Sequence, residues 1–140
     1  MLRDRIDQRA PALLHLGERA LRERNNKAAF GLYNEAVALD PNNVLALNNL
    51  AWVYQQKGDK RAADLARQAY VLAPGAQTAD TLGWILTTTG KPENGVALLR
   101  QAFKEAASDP RIQYHFAVAL KDTGGVVIPT ALKKPLDVAE

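Results

Sequence analysis

Residues 50–74 read LAWVYQQKGDKRAADLARQAYVLAP. Leu50-Ala51, Leu47 and Tyr54 recur at the three-and-four spacing of one helix face, and Ala62, Ala66 and Ala69 do so on a second stretch. Gly58-Asp59 between them is a turn, and Pro74 cannot continue a helix. Working back, Leu16-Gly17, Ala29, Tyr33, Ala36 and Pro41 follow the same plan. Working forward, Leu82-Gly83, Leu86, Gly95, Leu99 and Ala102 repeat it, and Phe116-Ala117, Leu120 and Gly124 begin it a fourth time. The anchors Ala36, Ala69 and Ala102 are 33 residues apart, and the large-plus-small pairs are 34, 32 and 34 apart. The short interval comes from single-residue losses at the Gly58 turn and after Pro74, where loops absorb them. A period near 34 residues is that of stacked helical hairpins. The fold class expected is an all-α, right-handed superhelical stack of antiparallel helix hairpins, with three full repeats and a partial fourth.

The pattern divides the chain into a polar lead-in at 1–10, read as a fraying segment or an extra helical turn, an array at 11–125 and a tail at 126–140. Within the array the repeats fall at about 11–43, 44–75, 76–109 and 110–125. Pro11 is expected to open the first helix, where its missing N–H is harmless. Seven helices are expected, at about 11–24, 27–39, 44–57, 60–72, 77–89, 93–107 and 110–122. Gly17, Ala51, Gly83 and Ala117 on the first helices, and Ala29, Ala62 and Gly95 on the second, are small where axes cross, which allows approach near the short end of roughly 8–10 Å.

These residues resemble the tetratricopeptide repeat, whose pattern is W-x₂-L-G-x₂-Y, then A-x₃-F, then P. Leu16, Gly17, Ala29, Tyr33, Ala36 and Pro41 match in the first hairpin, with Leu13 in place of the opening aromatic. Leu50, Ala51, Tyr54, Ala62, Ala69 and Pro74 match in the second, and Leu82, Gly83, Leu86, Leu99 and Ala102 in the third. The family is a scaffold for many partners, so the resemblance implies protein binding without naming the partner. Asn48-Asn49-Leu50-Ala51-Trp52, Asp80-Thr81-Leu82-Gly83-Trp84 and Tyr114-His115-Phe116-Ala117 are also similar to late repeats of large bacterial proteins of this family. Those include lipoproteins associated with PEP-CTERM sorting and exopolysaccharide systems.

In this family the first helices line a concave groove. The resemblance implies one row of His15, Asn49, Thr81 and His115, and beside it Leu14, Asn48, Asp80 and Tyr114. A third row is Glu18, Trp52, Trp84 and Val118; the rim is Leu21, Gln55, Thr87 and Lys121, with Arg22, Gln56, Thr88 and Asp122 alongside. The candidate partner-binding residues are Asn48, Asn49, Trp52, Gln55, Gln56, Asp80, Thr81, Trp84, Thr87, Thr88, Tyr114, His115 and Lys121. Amide side chains both donate and accept, which suits the backbone of an extended peptide. Trp52 and Trp84 offer rigid anchor area of the hot-spot type. The alternative is that both rings wedge between neighbouring helices as core; the two readings coexist if one ring face stays open. The groove that grips a C-terminal carboxylate in some family members is not matched, because His15, Glu18, Thr81 and Gln77 stand near the other clamp positions while only Asn49 is kept.

These residues support three readings of function. The first is a non-enzymatic scaffold binding an extended segment of a protein or peptide partner. The second is an assembly segment of a larger bacterial export or exopolysaccharide protein, and the third is glycan binding through Trp faces and amides. Neither an enzyme nor a cofactor is expected. His15 and His115 fall in the first and fourth hairpins, each step roughly 10 Å, too far apart to share a metal at about 2.1 Å. Ser108, the only serine, reads as a helix cap. Gly124-Gly125 follows a helix and so is no phosphate loop. With 18 basic and 15 acidic residues the net charge is +3, and the arginines at 3, 5, 9, 19, 22 and 24 alternate with acids, so nucleic-acid binding is not expected. No cysteine is present, which excludes disulfides and thiolate chemistry. No apolar run suits a signal peptide or a membrane helix, and the compartment stays open between cytoplasm and periplasm. After Gly124 the pattern fails: Val126-Val127-Ile128-Pro129 is apolar and Pro135 breaks the remaining tail, with a short helix allowed around Thr130–Lys134. A last face left incompletely covered predicts that the array continues or that this end packs on another copy, giving a homodimer.

Overall fold

The computed structural model describes residues 2–124, with side chains from Arg9 onward. The described residues divide into two compact units, one up to Ala73 and one from Pro74. The apolar tail at 126–128 and the helix allowed around Thr130–Lys134 lie outside the described residues, and with them the expected dimer contact.

The first unit holds α1 (Leu2–Arg22), α2 (Asn26–Leu39), α3 (Val44–Gln56) and α4 (Arg61–Leu72). Helices α1 and α2 pack as one hairpin, α3 and α4 as the next, and α2 lies against α3. The second unit holds α5 (Ala76–Thr88), α6 (Pro92–Glu105) and α7 (Pro110–Asp122). There α5 and α6 form a hairpin and α7 packs on both. All the regular structure among the described residues is helical.

Local chemistry explains the boundaries. Asn25 and Asn43 cap α2 and α3, their side-chain oxygens accepting from the N–H of Ala28 at 3.1 Å and of Ala46 at 3.0 Å. Asp109 caps α7 by accepting from Arg111 N–H at 2.9 Å. Pro92 and Pro110 stand in the first turn of α6 and α7, where no N–H is needed. Gly58, Gly90 and Gly124 take positive φ of 70°, 88° and 70° after their helices. In the first hairpin that duty falls to Arg24, at φ 58°, one residue before the Asn25-Asn26 pair expected to turn the chain.

Of the two readings of the lead-in the helical one is found, and it runs further than one extra turn. The lead-in at 1–10 is helical from Leu2, and Pro11 lies inside α1 instead of opening it. Packing holds this turn: Ala10 is buried, and Arg9 is ion-paired to Glu35 of α2.

Small residues set the hairpin contacts. Gly17 lies under the ring of fully buried Tyr33, where a Cβ would fall 2.7 Å from the ring. Gly83 and Gly95 meet backbone to backbone: a Cβ on Gly95 would stand 2.7 Å from the Gly83 carbonyl oxygen. Ala29, Ala36, Ala62, Ala66, Ala69 and Ala102 are all buried on the second helices. Leu13 of α1, Ala36 of α2 and Ala46 of α3 share one cluster, so the second hairpin is anchored on the first.

Candidate functional site

In the first unit the candidate face belongs to α3. Asn49 is half-buried, and its amide donates to the Tyr33 hydroxyl at 3.2 Å. Burial, with the negative charge of Glu18 adding and the Asn49 bond opposing, pushes the Tyr33 phenol up to about 12. Asn48 is also half-buried, and its side-chain oxygen is covered without a hydrogen-bond partner. Trp52 is half-buried one turn further on, Gln55 is half-buried and Gln56 exposed, and the Gln56 amide donates to Gln55 at 2.8 Å. Leu45, two turns before Trp52 on the same stripe, is 45 % exposed. Sequence reasoning passed over it, although its spacing of seven from Trp52 is the signal that finds it.

In the second unit the candidate face is a built cluster between α5 and α7. Asp80 is 1 % exposed, and its carboxylate accepts from His115 Nδ1 at 2.7 Å, the imidazole carrying its proton on that nitrogen when Asp80 is ionised. The second Asp80 oxygen has no hydrogen bond and stands 3.5 Å from Arg111 Nε. The Arg111 guanidinium also donates to Gln77 at 2.8 Å. The His115 ring lies 4.1 Å from the Trp84 ring with planes 15° apart, a stacked pair. Tyr114 is 63 % exposed, its ring 6.0 Å from that of Trp84 and tilted by 49°.

Four candidates therefore leave the surface. Asp80, Thr81, Thr87 and His115 were expected to face a partner and are all buried. The Thr81 hydroxyl donates to the Gln77 carbonyl at 3.1 Å, and that of Thr87 to the Gly83 carbonyl at 2.8 Å. A threonine satisfied four residues back on its own helix no longer needs water. Thr87 stands against Gly95, at the hairpin crossing and away from the rim. Asp80 and His115 are buried because each satisfies the other. Thr88 and Lys121 are exposed, with the Thr88 hydroxyl bonded to the Ile85 carbonyl at 3.1 Å. Trp84, like Trp52, is half-buried. Gln77 and Arg111 join this face without having been predicted; they sit 34 apart, the interval between Leu82 and Phe116, so the repeat register was the clue.

His15, on the equivalent row of α1, is exposed. Among the described residues no group of three His, Cys, Asp or Glu could hold a metal, and no helix is long and apolar enough to cross a membrane. A depression of about 250 Å³ in the first unit is lined mainly by α2 and α4, including Asn34, Val37 and Leu65, and so lies off the candidate face.

Helical hairpins repeating at this period, with small residues at each crossing and a polar-aromatic face on the first helices, define the class of helical-repeat interaction scaffolds. The tetratricopeptide-repeat family model matches residues 32–64, from α2 into α4. Solved structures agree on the fold. The TPR domain of Sgt2 from Aspergillus fumigatus superposes with a TM-score of 0.74 at 18 % identity, over 84 % of this chain and 80 % of that one. The MamA protein gives 0.73 at 18 % identity, over 95 % and 74 %. A mutant O-GlcNAc transferase from Thermobaculum terrenum gives 0.78 at 28 % identity, over 83 % of this chain and 23 % of that one. The chain is thus built of tetratricopeptide-type helical hairpins, with the family's own model falling on residues 32–64. It is also 31 % identical over 112 residues to the cellulose synthase 1 operon protein C of Komagataeibacter xylinus, covering 74 % of this chain and 8 % of that protein. The chain thus spans less than a tenth of the length of that relative.

Proposed function

We propose that the chain is a non-enzymatic scaffold that takes an extended protein segment against the faces of its first helices. The observation that carries this is the α5–α7 face, where Trp84 lies beside Tyr114 and Arg111 beside Asp80 one turn from Trp84, with Tyr114 63 % exposed. Trp, Tyr and Arg are the residue types that dominate binding energy at protein interfaces. In the first unit Trp52, Leu45 and Gln56 offer a comparable mixture of anchor area and amide. Half-buried rings suit the role, since part of each is held by the protein and part stays accessible to a partner. Asn48 supports it too, since a covered amide oxygen without a partner is a standing cost that a partner's donor, reached by a small side-chain movement, would relieve.

The test is to select peptides from a displayed random library and map one on the labelled protein by NMR. The indole N–H signals of Trp52 or Trp84 should shift together with the backbone signals of α3, or of α5 and α7. Shifts confined to α2, α4 or α6 would remove this reading.

The second reading, an assembly segment of a larger bacterial protein, is favoured by the cellulose synthase operon relative. It fits the expected likeness to export- and exopolysaccharide-associated proteins. The two readings agree in needing no chemistry from this stretch. Glycan binding is the reading left for a chain whose Trp fluorescence responds to soluble oligosaccharides and to none of the peptides.

A further inference from the structure

We infer that Asp80 and His115 are positioning residues for the Trp84 anchor. The inference rests on the peptide-face reading above and says how one anchor of that face is made rigid. Asp80 and Trp84 are one turn apart on α5, and His115 enters between them from α7. One edge of the imidazole is held by the carboxylate at 2.7 Å, and its face lies on the indole at 4.1 Å and 15°. A hydrogen bond fixes the ring plane of His115, and the stack passes that plane to Trp84. One indole face is thereby covered by an aromatic ring held at its edge by the carboxylate. A pre-set anchor costs a partner less ordering entropy on binding.

Energetics separate this from a merely structural role. Asp80 is a buried carboxylate with one oxygen bonded to His115 and the other without a hydrogen bond, 3.5 Å from Arg111 Nε. Such buried charge contributes little to stability, since well-packed apolar residues of similar size serve as well or better. Ring placement is what leucines at both positions would not supply.

The experiment uses the Trp52→Phe protein, in which Trp84 is the sole tryptophan. Near-UV circular dichroism and acrylamide quenching then report the Trp84 environment with no partner present, so the result is independent of whether the face binds peptide. Asp80→Asn keeps an acceptor for His115 and should keep both the near-UV band and the protection from quenching. His115→Gln keeps a bond to Asp80 but loses the ring; it should lose the band and gain quenching while far-UV helicity is retained. The double change Asp80→Leu with His115→Leu should lose the band while holding or raising the thermal midpoint. An unchanged Trp84 band in either ring-deleted protein would overturn the inference. So would unfolding of the double-leucine protein, because the pair would then be a requirement of the fold.

Discussion

At Gly95 the third hairpin leaves no room for a side chain. A Cβ there would meet the Thr87 hydroxyl at 2.2 Å, the Gly83 carbonyl at 2.7 Å and the Thr87 nitrogen at 3.0 Å. Two of these are backbone atoms that cannot swing aside. Gly95→Ala should therefore destabilise the protein by about 1–3 kcal/mol, the usual cost of overpacking, despite alanine's better helix propensity. A denaturant titration reads this as a lower midpoint with an unchanged slope; an equal or higher midpoint would show that α5 and α6 are further apart than described. Tyr33 gives a second residue-level prediction. Its phenol sits at about 12, above the ordinary value of 10.0. The native state then keeps a proton that the unfolded chain releases, so this contribution is intact below about pH 10 and is lost as pH rises towards about 12. The loss should be on the order of 2 kcal/mol. Comparing wild type with Tyr33→Phe at about pH 9 and about pH 11 isolates it, because only the wild type carries this slope.

At the scale of the element, the turn of the first hairpin is the one place where a residue other than glycine takes the left-handed conformation among the described residues. Arg24 occupies the position held by Gly58, Gly90 and Gly124 in the later hairpins. That conformation costs an L side chain about 1–2 kcal/mol, and the freer unfolded chain of glycine offsets part of the gain. Arg24→Gly should raise the thermal midpoint by about 2–4 °C, measured by circular dichroism. A fall would mean that side-chain contacts of Arg24 outweigh its backbone strain. The turns also show what sequence patterning reports. Helices α2 to α7 stand within two residues of their expected bounds, because caps, prolines and glycines are local signals. Pro11 misled because a proline that opens a helix and one carried inside it differ only in what packs around them; here Ala10 and the Arg9–Glu35 pair decide. The candidate face was legible as a stripe and not as a surface. Periodicity places Asp80, Thr81, Thr87 and His115 on a side of a helix, yet their burial depends on partners that periodicity cannot see, such as the His115–Asp80 bond across 35 residues.

For the whole molecule, the repeat fold is carried by spacing and small residues, and the proposed function rests on the few positions that the repeat leaves undetermined. Helical-repeat scaffolds present extended concave surfaces built on one packing scheme, and the same fold hosts many functions. In this chain those faces carry Trp52 with Leu45 and Gln56 in one unit, and Trp84 with Tyr114 and Arg111 in the other. The match to the O-GlcNAc transferase, over 23 % of that chain, shows that the fold also occurs within a protein named as an enzyme. The central claim, that the tryptophan faces bind an extended peptide, is tested most directly by isothermal titration of one library-selected peptide. Wild type is compared with Trp52→Ala and with Trp84→Ala, each checked for intact helicity. If these faces bind peptide, at least one substitution weakens binding tenfold or more, a loss of about 1.4 kcal/mol or greater. Undiminished affinity in both folded variants would contradict that claim.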